Sequence, residues 1–387
     1  MPSAVIGANI RLARLFHGYS LEEVAAHLGK TRQYVHKIET EQITPPEPVL
    51  EAIADMTQVY PVFFYRQAPG SISEEQCHFR KHFTARAAIK HMALAKGELF
   101  RRLVAGVEEQ VEFPAPSIPQ HEVRSLVDIE QAAEACRRQW RLGLGPIQNM
   151  VRLAENVGVV VTSFKGVSRE VDAYSISASR PIIVLNADEA SACRLRFDVA
   201  HELGHLVMHV GELTGDRRTE GEANRFAGAF LLPRSSFVKE FPRMRGSHLN
   251  WHGLSELKLR WKVSKAALLY RAKQLDLISE DQYRTGVIRL NRGGEARIER
   301  EDALIPKEVP ELFPQAVRVG FAHVGKDFSA YCRSFCVQAS ILNEFVEALW
   351  KAPEPAPASA LQEGGNVISL AKRRANIASD TSDRKRG

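Results

Sequence analysis

Between residues 6 and 66 apolar positions recur with a helical period: Ile6, Ile10 and Ala13, then Val24, Ala25 and Leu28, then Val35 and Ile38, then Leu50, Ile53 and Met56. Ser20 followed three residues later by Glu23 is a capping-box start, and Gly29 stands where the second helix should stop. The third helix begins near Thr31, so two short helices flank a tight turn, a helix-turn-helix arrangement. On that third helix Val35 and Ile38 face inward, which leaves Arg32, Gln33, His36 and Lys37 on the outer face.

The pattern changes further along. Residues 67–110 are polar and basic, with a hinge-like start at 70–73 and a dense basic-aromatic patch at 79–83, and residues 113–119 form a stiff Pro-rich break. An amphipathic helix is predicted over 129–140, and a second helix through Glu155. Residues 158–162 and 181–186 are β-branched runs bounded by turn formers and read as strands, with a third strand between them at 172–177. An apolar run over 197–209 follows, and from Leu254 helical periodicity returns through Leu275. Residues 352–387 combine three prolines, a Gly pair and few large apolar residues, which predicts a disordered basic tail.

Composition bounds these readings. With 387 residues, 44% of them apolar and 25% charged, the chain can bury several cores. No stretch approaches the roughly 20 apolar residues of a spanning helix, and the charged first thirty residues do not read as a secretory signal, so a cytoplasmic location and no membrane partner are expected. Five scattered cysteines argue against a disulfide framework. The net charge of +6 suggests nucleic acid, yet residues 1–66 hold six Lys or Arg against seven Asp or Glu. DNA binding must therefore be argued from where side chains stand, here Arg32, Gln33, His36 and Lys37.

The most specific chemistry lies in His201-Glu202-Leu203-Gly204-His205. Two imidazoles four apart on a helix share one face and can grip one metal ion, and the intervening Glu202 can act as general base on a water. One catalytic Zn2+ needs a third protein ligand. His209 is excluded as that ligand, because three His at successive four-residue steps span about 12 Å of helix; a packing or supporting role behind the ligands is expected for it. In residues 219–227, read as a helix, Glu220, Ala223, Asn224, Ala227 and Leu231 share a stripe. Glu220 is therefore the chosen third ligand and Glu222 the alternative, with Asn224 placed to hydrogen-bond a ligating His.

Two resemblances extend this reading. Ser20, Glu23, Ala25, Gly29, Val35, Ile38 and Glu39, followed by Thr44-Pro45-Pro46, resemble the Cro/repressor-type, Xre-like helix-turn-helix family over residues 6–66. The likeness implies that Arg32, Gln33 and Lys37 face base edges of a DNA operator, that Arg14 and Glu39 pair internally, and that a homodimer reads paired half-sites. Two departures stand out: Leu21 where many members carry Gln, and Thr40-Glu41 in place of an Asn-Gly turn. Residues 196–205, 220–227 and 231–233 resemble the ImmA/IrrE family of zinc metallopeptidases, with the likeness extending over about 120–290. It implies a gluzincin-like regulator that cuts a protein substrate, typically a helix-turn-helix repressor. The alternative is a transcriptional regulator whose metallopeptidase-like domain senses or binds a partner without cleaving it.

The expected fold class is multidomain and mainly α: an all-α helix-turn-helix domain at 1–66, a helical connector at 67–119, an α+β zincin-like metallopeptidase domain with a small sheet and helical extension at 120–290, a C-terminal accessory region at 291–351 and the tail at 352–387.

Overall fold

The computed structural model describes residues 4–67, 77–78, 87–164, 173–244, 248–324, 327–346 and 368–369. Four helices open the chain: α1 (Gly7–Phe16), α2 (Leu21–Leu28), α3 (Arg32–Glu39) and α4 (Glu47–Met56), followed by a 3-10 turn over Pro61–Tyr65. Their boundaries follow from local chemistry. Ser20 Oγ accepts the Glu23 N–H at 3.1 Å while Glu23 Oε2 accepts the Ser20 N–H at 2.7 Å, and Gly29 ends α2 in the left-handed region at φ 62°. Thr31 caps α3 through the Tyr34 N–H.

After α3, Glu41 occupies the left-handed region at φ 60°, a conformation that favours Gly or Asn. Its carboxylate explains the departure from the family's turn: Glu41 Oε1 accepts the Gly7 N–H at 2.9 Å and so satisfies an open donor at the start of α1. Gly7 itself is needed there, since a Cβ would stand 2.5 Å from the carbonyl oxygens of Ile38 and Glu39.

The remaining elements are β1 (Cys77–His78), α5 (Ala87–Glu108), β2 (Val111–Glu112), α6 (Leu126–Gln139), α7 (Met150–Asn156), β3 (Val160–Phe164), β4 (Ala173–Ile176), β5 (Ile182–Asn186), α8 (Ala192–Met208), α9 (Arg217–Leu231), α10 (Arg234–Glu240), α11 (Trp251–Trp261), α12 (Lys265–Gln274), α13 (Glu280–Arg292), α14 (Leu312–Val324), α15 (Phe328–Ser334), α16 (Ala339–Val346) and β6 (Ile368–Ser369). The protein is thus a mainly α, multidomain chain with a small sheet. The three strands expected from sequence form, shifted by one or two residues at their ends. A fourth, β1, completes the order β1-β4-β5-β3, with β3 and β5 parallel and the other pairs antiparallel. The expected hinge at 70–73 and patch at 79–83 lie outside the described residues. So does the tail at 352–387, apart from Ile368–Ser369, which pair with Val111–Glu112.

The sheet separates two cores because successive side chains of a strand point to opposite faces. Val161, Ala173, Ile183 and Leu185 pack toward α6, α7, α8, α9, α11 and α12. Val160, Phe164, Tyr174, Ile176, Ile182 and Val184 join a second core that runs through α5, α14, α15 and α16 into the helix-turn-helix helices. In that second core Phe345 of α16 lies 6.2 Å from the Phe16 ring of α1 and 5.5 Å from the Phe164 ring of β3. The N-terminal helices and the sheet therefore share packed aromatic contacts. No helix among the described residues is long and apolar enough to cross a membrane.

Candidate functional site

Helix α8 carries the HExxH segment, and nearly its whole length from Val199 to Met208 is buried. Ser191 starts it by accepting the Arg194 N–H. Helix α9 begins at Asp216, whose Oδ1 accepts the Thr219 N–H at 2.8 Å. The two helices approach closely at Gly204, where an added Cβ would stand 3.0 Å from the Phe226 ring. A side chain at 204 would require the buried Phe226 to give by a few tenths of an ångström.

Across this contact His201, His205 and Glu220 converge, one ligand atom from each lying within 4.8 Å of the others. His201 Nε2 and His205 Nε2 are 3.1 Å apart, and each faces one Glu220 oxygen at 3.4 Å. Ligands at about 2.0–2.1 Å from a tetrahedral zinc stand roughly 3.3 Å from one another. The observed separations fit that spacing. Among the described residues no other group of three such side chains meets this condition.

Protonation suits the same task. Asn224 Oδ1, which can only accept, lies 3.0 Å from His201 Nδ1, so the proton sits on Nδ1 and Nε2 presents a lone pair. Burial, together with the neighbouring His201 and His209, outweighs the pull of Glu220 and lowers the His205 pKa to about 4, leaving a neutral ring at neutral pH. For Glu220 burial acts upward, but the His201 and His205 rings facing its two oxygens outweigh it and hold the carboxyl well below its ordinary value. Two imidazoles that turn Nε2 to the cluster and an ionised carboxylate make a donor set of the kind zinc takes.

Glu202 is buried, and its Oε2 accepts the Ser175 hydroxyl at 2.6 Å. Ser175 belongs to β4, and strand alternation turns it to the α8 face between outward Tyr174 and Ile176. Sequence reasoning missed it. The strand itself was legible, but its position against α8 depends on pairing with β5 across the sheet.

His209, at the C-cap of α8, does not reach the cluster; its Nδ1 lies 2.9 Å from His205 Nδ1 and its Nε2 lies 2.9 Å from Glu222 Oε2. Glu222 also accepts from Arg218 Nη1 at 3.0 Å, so it is engaged by His209 and Arg218 and not by the converging rings of His201 and His205.

In the N-terminal domain Arg32, Gln33, His36 and Lys37 are all exposed on α3, while Val35 and Ile38 are buried. Arg32 pairs with Glu22 of α2 at 2.8 Å, both side chains about two-thirds in solvent, so the contact is easily exchanged for a phosphate or a base. Arg14 and Glu39 form a buried bidentate pair at 2.6 and 2.9 Å that clamps α1 to the end of α3.

Residues 154–273 match the peptidase family model described as the IrrE N-terminal-like domain, and residues 10–64 match a helix-turn-helix model. No curated protein matches the chain. The first match covers α8, α9 and all three converging side chains; the second runs from within α1 through α4. Residues 10–64 are thus similar to Xre-like helix-turn-helix domains, and residues 154–273 to the peptidase family's IrrE N-terminal-like domain.

Proposed function

We propose that the protein is a DNA-binding regulator whose peptidase-like domain is a zinc-dependent endopeptidase, with His201, His205 and Glu220 as ligands and Glu202 as general base. The observation that carries the reading is the convergence of two imidazoles and one carboxylate at separations matching tetrahedral zinc. A zinc ion held there would supply Lewis acidity to a water and to the scissile carbonyl. Glu202 takes a proton from the attacking water and delivers it to the leaving amide nitrogen. Ser175 donates to Glu202 Oε2 and so fixes the carboxylate's orientation. Asn224 keeps the His201 ring in the ligating tautomer.

The substrate class follows from the resemblance: a protein, of which a helix-turn-helix repressor is the first to test. The N-terminal domain would bring the peptidase to a DNA operator through Arg32, Gln33, His36 and Lys37, a role that agrees with the cytoplasmic location expected from the sequence. Glu202→Gln keeps the side chain's size and leaves the three ligands intact. It should retain zinc at the wild-type stoichiometry while lowering the rate of repressor cleavage by about 100- to 10,000-fold. Zinc by elemental analysis and cleavage by gel assay check this. A regulatory effect in cells that survives Glu202→Gln unchanged would instead assign the domain to partner sensing without cleavage.

A further inference from the structure

The carboxylate at 222 stands two residues from the assigned ligand Glu220, and it was the alternative ligand on sequence grounds. Its contacts assign it a different task. From the cluster outward, His205 Nδ1 lies 2.9 Å from His209 Nδ1, His209 Nε2 lies 2.9 Å from Glu222 Oε2, and Glu222 is held in turn by Arg218 Nη1 at 3.0 Å. Arg218 is itself paired with Glu212. Both imidazoles are buried, which excludes water as a competing partner over most of the path.

Proton directions along this path are constrained at one end. Glu222 as a carboxylate accepts only, so His209 Nε2 carries a hydrogen and donates it. For His205 to offer Nε2 to an ion its one ring hydrogen must sit on Nδ1, and His209, keeping its own hydrogen on Nε2 toward Glu222, presents the bare Nδ1 that accepts it. With its Nδ1 protonated, neutral His205 presents a lone pair from Nε2, the atom that faces His201 and Glu220.

We propose that Glu222 and His209 form a carboxylate–histidine relay that holds His205 in the tautomer able to ligate a metal ion, and that they are positioning residues for that ion. The relay rests on the zinc reading above. It gives the two carboxylates of α9 separate tasks: Glu220 for the ion, Glu222 for the ring behind it. It also matches the two ligating His, since Asn224 does for His201 what the longer relay does for His205. Outer partners of this kind typically change metal affinity by about 10- to 100-fold when removed.

The test is zinc affinity of the full-length chain, measured by competition with a chromophoric chelator. His209→Phe and Glu222→Ala should each weaken zinc binding by about 10- to 100-fold. The double variant should be little worse than either single one, because the two changes break the same path. His209→Gln, whose carbonyl can still accept from His205 Nδ1, should recover part of the loss. A merely structural role would give additive losses and no such recovery. A second measurement avoids substitution: in the zinc-loaded wild type, 15N shifts of His205 should report a protonated Nδ1 and a metal-bound Nε2. Variants that bind zinc like the wild type, or a His205 ligating through Nδ1, would overturn the relay alone. Glu222→Ala protein as empty as Glu220→Ala protein would make Glu222 a ligand and remove the relay. A wild type that takes up no zinc at all would sink the metal reading itself, and the relay with it.

Discussion

Helices α3 and α8 were both legible in the sequence, α3 from apolar periodicity and α8 from the HExxH spacing within an apolar run, yet they present their functional side chains in opposite ways. On α3 the candidate DNA-contacting groups stand in solvent, and Arg32 has only an exposed partner. On α8 the candidate ligands and base are buried, and a neighbouring side chain fixes an atom on each of His201, Glu202 and His205. The difference reflects where order comes from. A DNA reader is completed by the duplex, whose grooves and phosphates organise flexible side chains. A hydrolytic centre must hold its geometry before the substrate arrives, so the protein itself supplies the orienting partners.

The largest expected effect breaks the buried side of this contrast. His201→Ala removes one of three ligands and should leave no stoichiometric zinc after purification, a loss exceeding the roughly 10- to 100-fold typical of outer partners. Elemental analysis beside circular dichroism checks it. Folded His201→Ala protein that still carried one equivalent of zinc would move the centre elsewhere.

Next comes the element that supports the exposed side. Arg14 and Glu39 are both nearly inaccessible, and removing one partner leaves the other charge buried. Arg14→Ala should destabilise the N-terminal helices by about 3–5 kcal/mol, whereas replacing both residues with apolar ones of similar volume should recover most of that. Amide exchange in α1 and α3 reads the effect locally, which avoids assuming that a multidomain chain unfolds in one step.

A third prediction concerns the seam between the core around α8 and the start of α14. Glu155 of α7 is buried, and its Oε1 accepts the N–H groups of Glu311 and Leu312 at 2.9 and 3.0 Å, at the start of α14. Burial pushes its pKa up from 4.5 to about 7, only partly countered by those two N–H donors. A carboxyl with a raised folded pKa stabilises most below its unfolded value, and the contribution is lost as pH climbs toward the folded one. Stability of this seam should therefore fall by on the order of 3 kcal/mol between pH 4 and pH 8. Glu155→Gln keeps an acceptor without the charge and should flatten that fall. An identical pH profile in the variant would show that Glu155 is not its source.

How much could be read from the chain alone divides along the same line. The helices, their caps and the HExxH face follow from local spacing, and Glu220 follows from a stripe on one helix. Ser175 and the role of Glu222 do not, because each depends on an element brought alongside by tertiary packing: β4 against α8 in one case, the α8 C-terminus against α9 in the other. The departure at Glu41 was visible in sequence, but its reason, the Gly7 N–H, lies 34 residues away. Likewise the packing of α16 between α1 and β3 joins segments more than 150 residues apart, which no local pattern reports.

The smallest effect tests the exposed face. If α3 enters a major groove, Arg32→Ala removes a side chain suited to guanine and should weaken binding to a specific operator by about 1–3 kcal/mol, with little change on unrelated duplex. Its pair with Glu22 is exposed, so stability should change by less than about 1 kcal/mol. That combination separates a DNA contact from a structural one: affinity moves while the fold does not. Zinc content should also be unchanged, since Arg32 is exposed and its ion pair is with Glu22 of α2. Fluorescence anisotropy with operator and scrambled fragments at one fixed salt concentration reads the difference. Equal affinity of wild type and variant for the operator would turn the outer face of α3 from a nucleic-acid reader into a surface for protein partners.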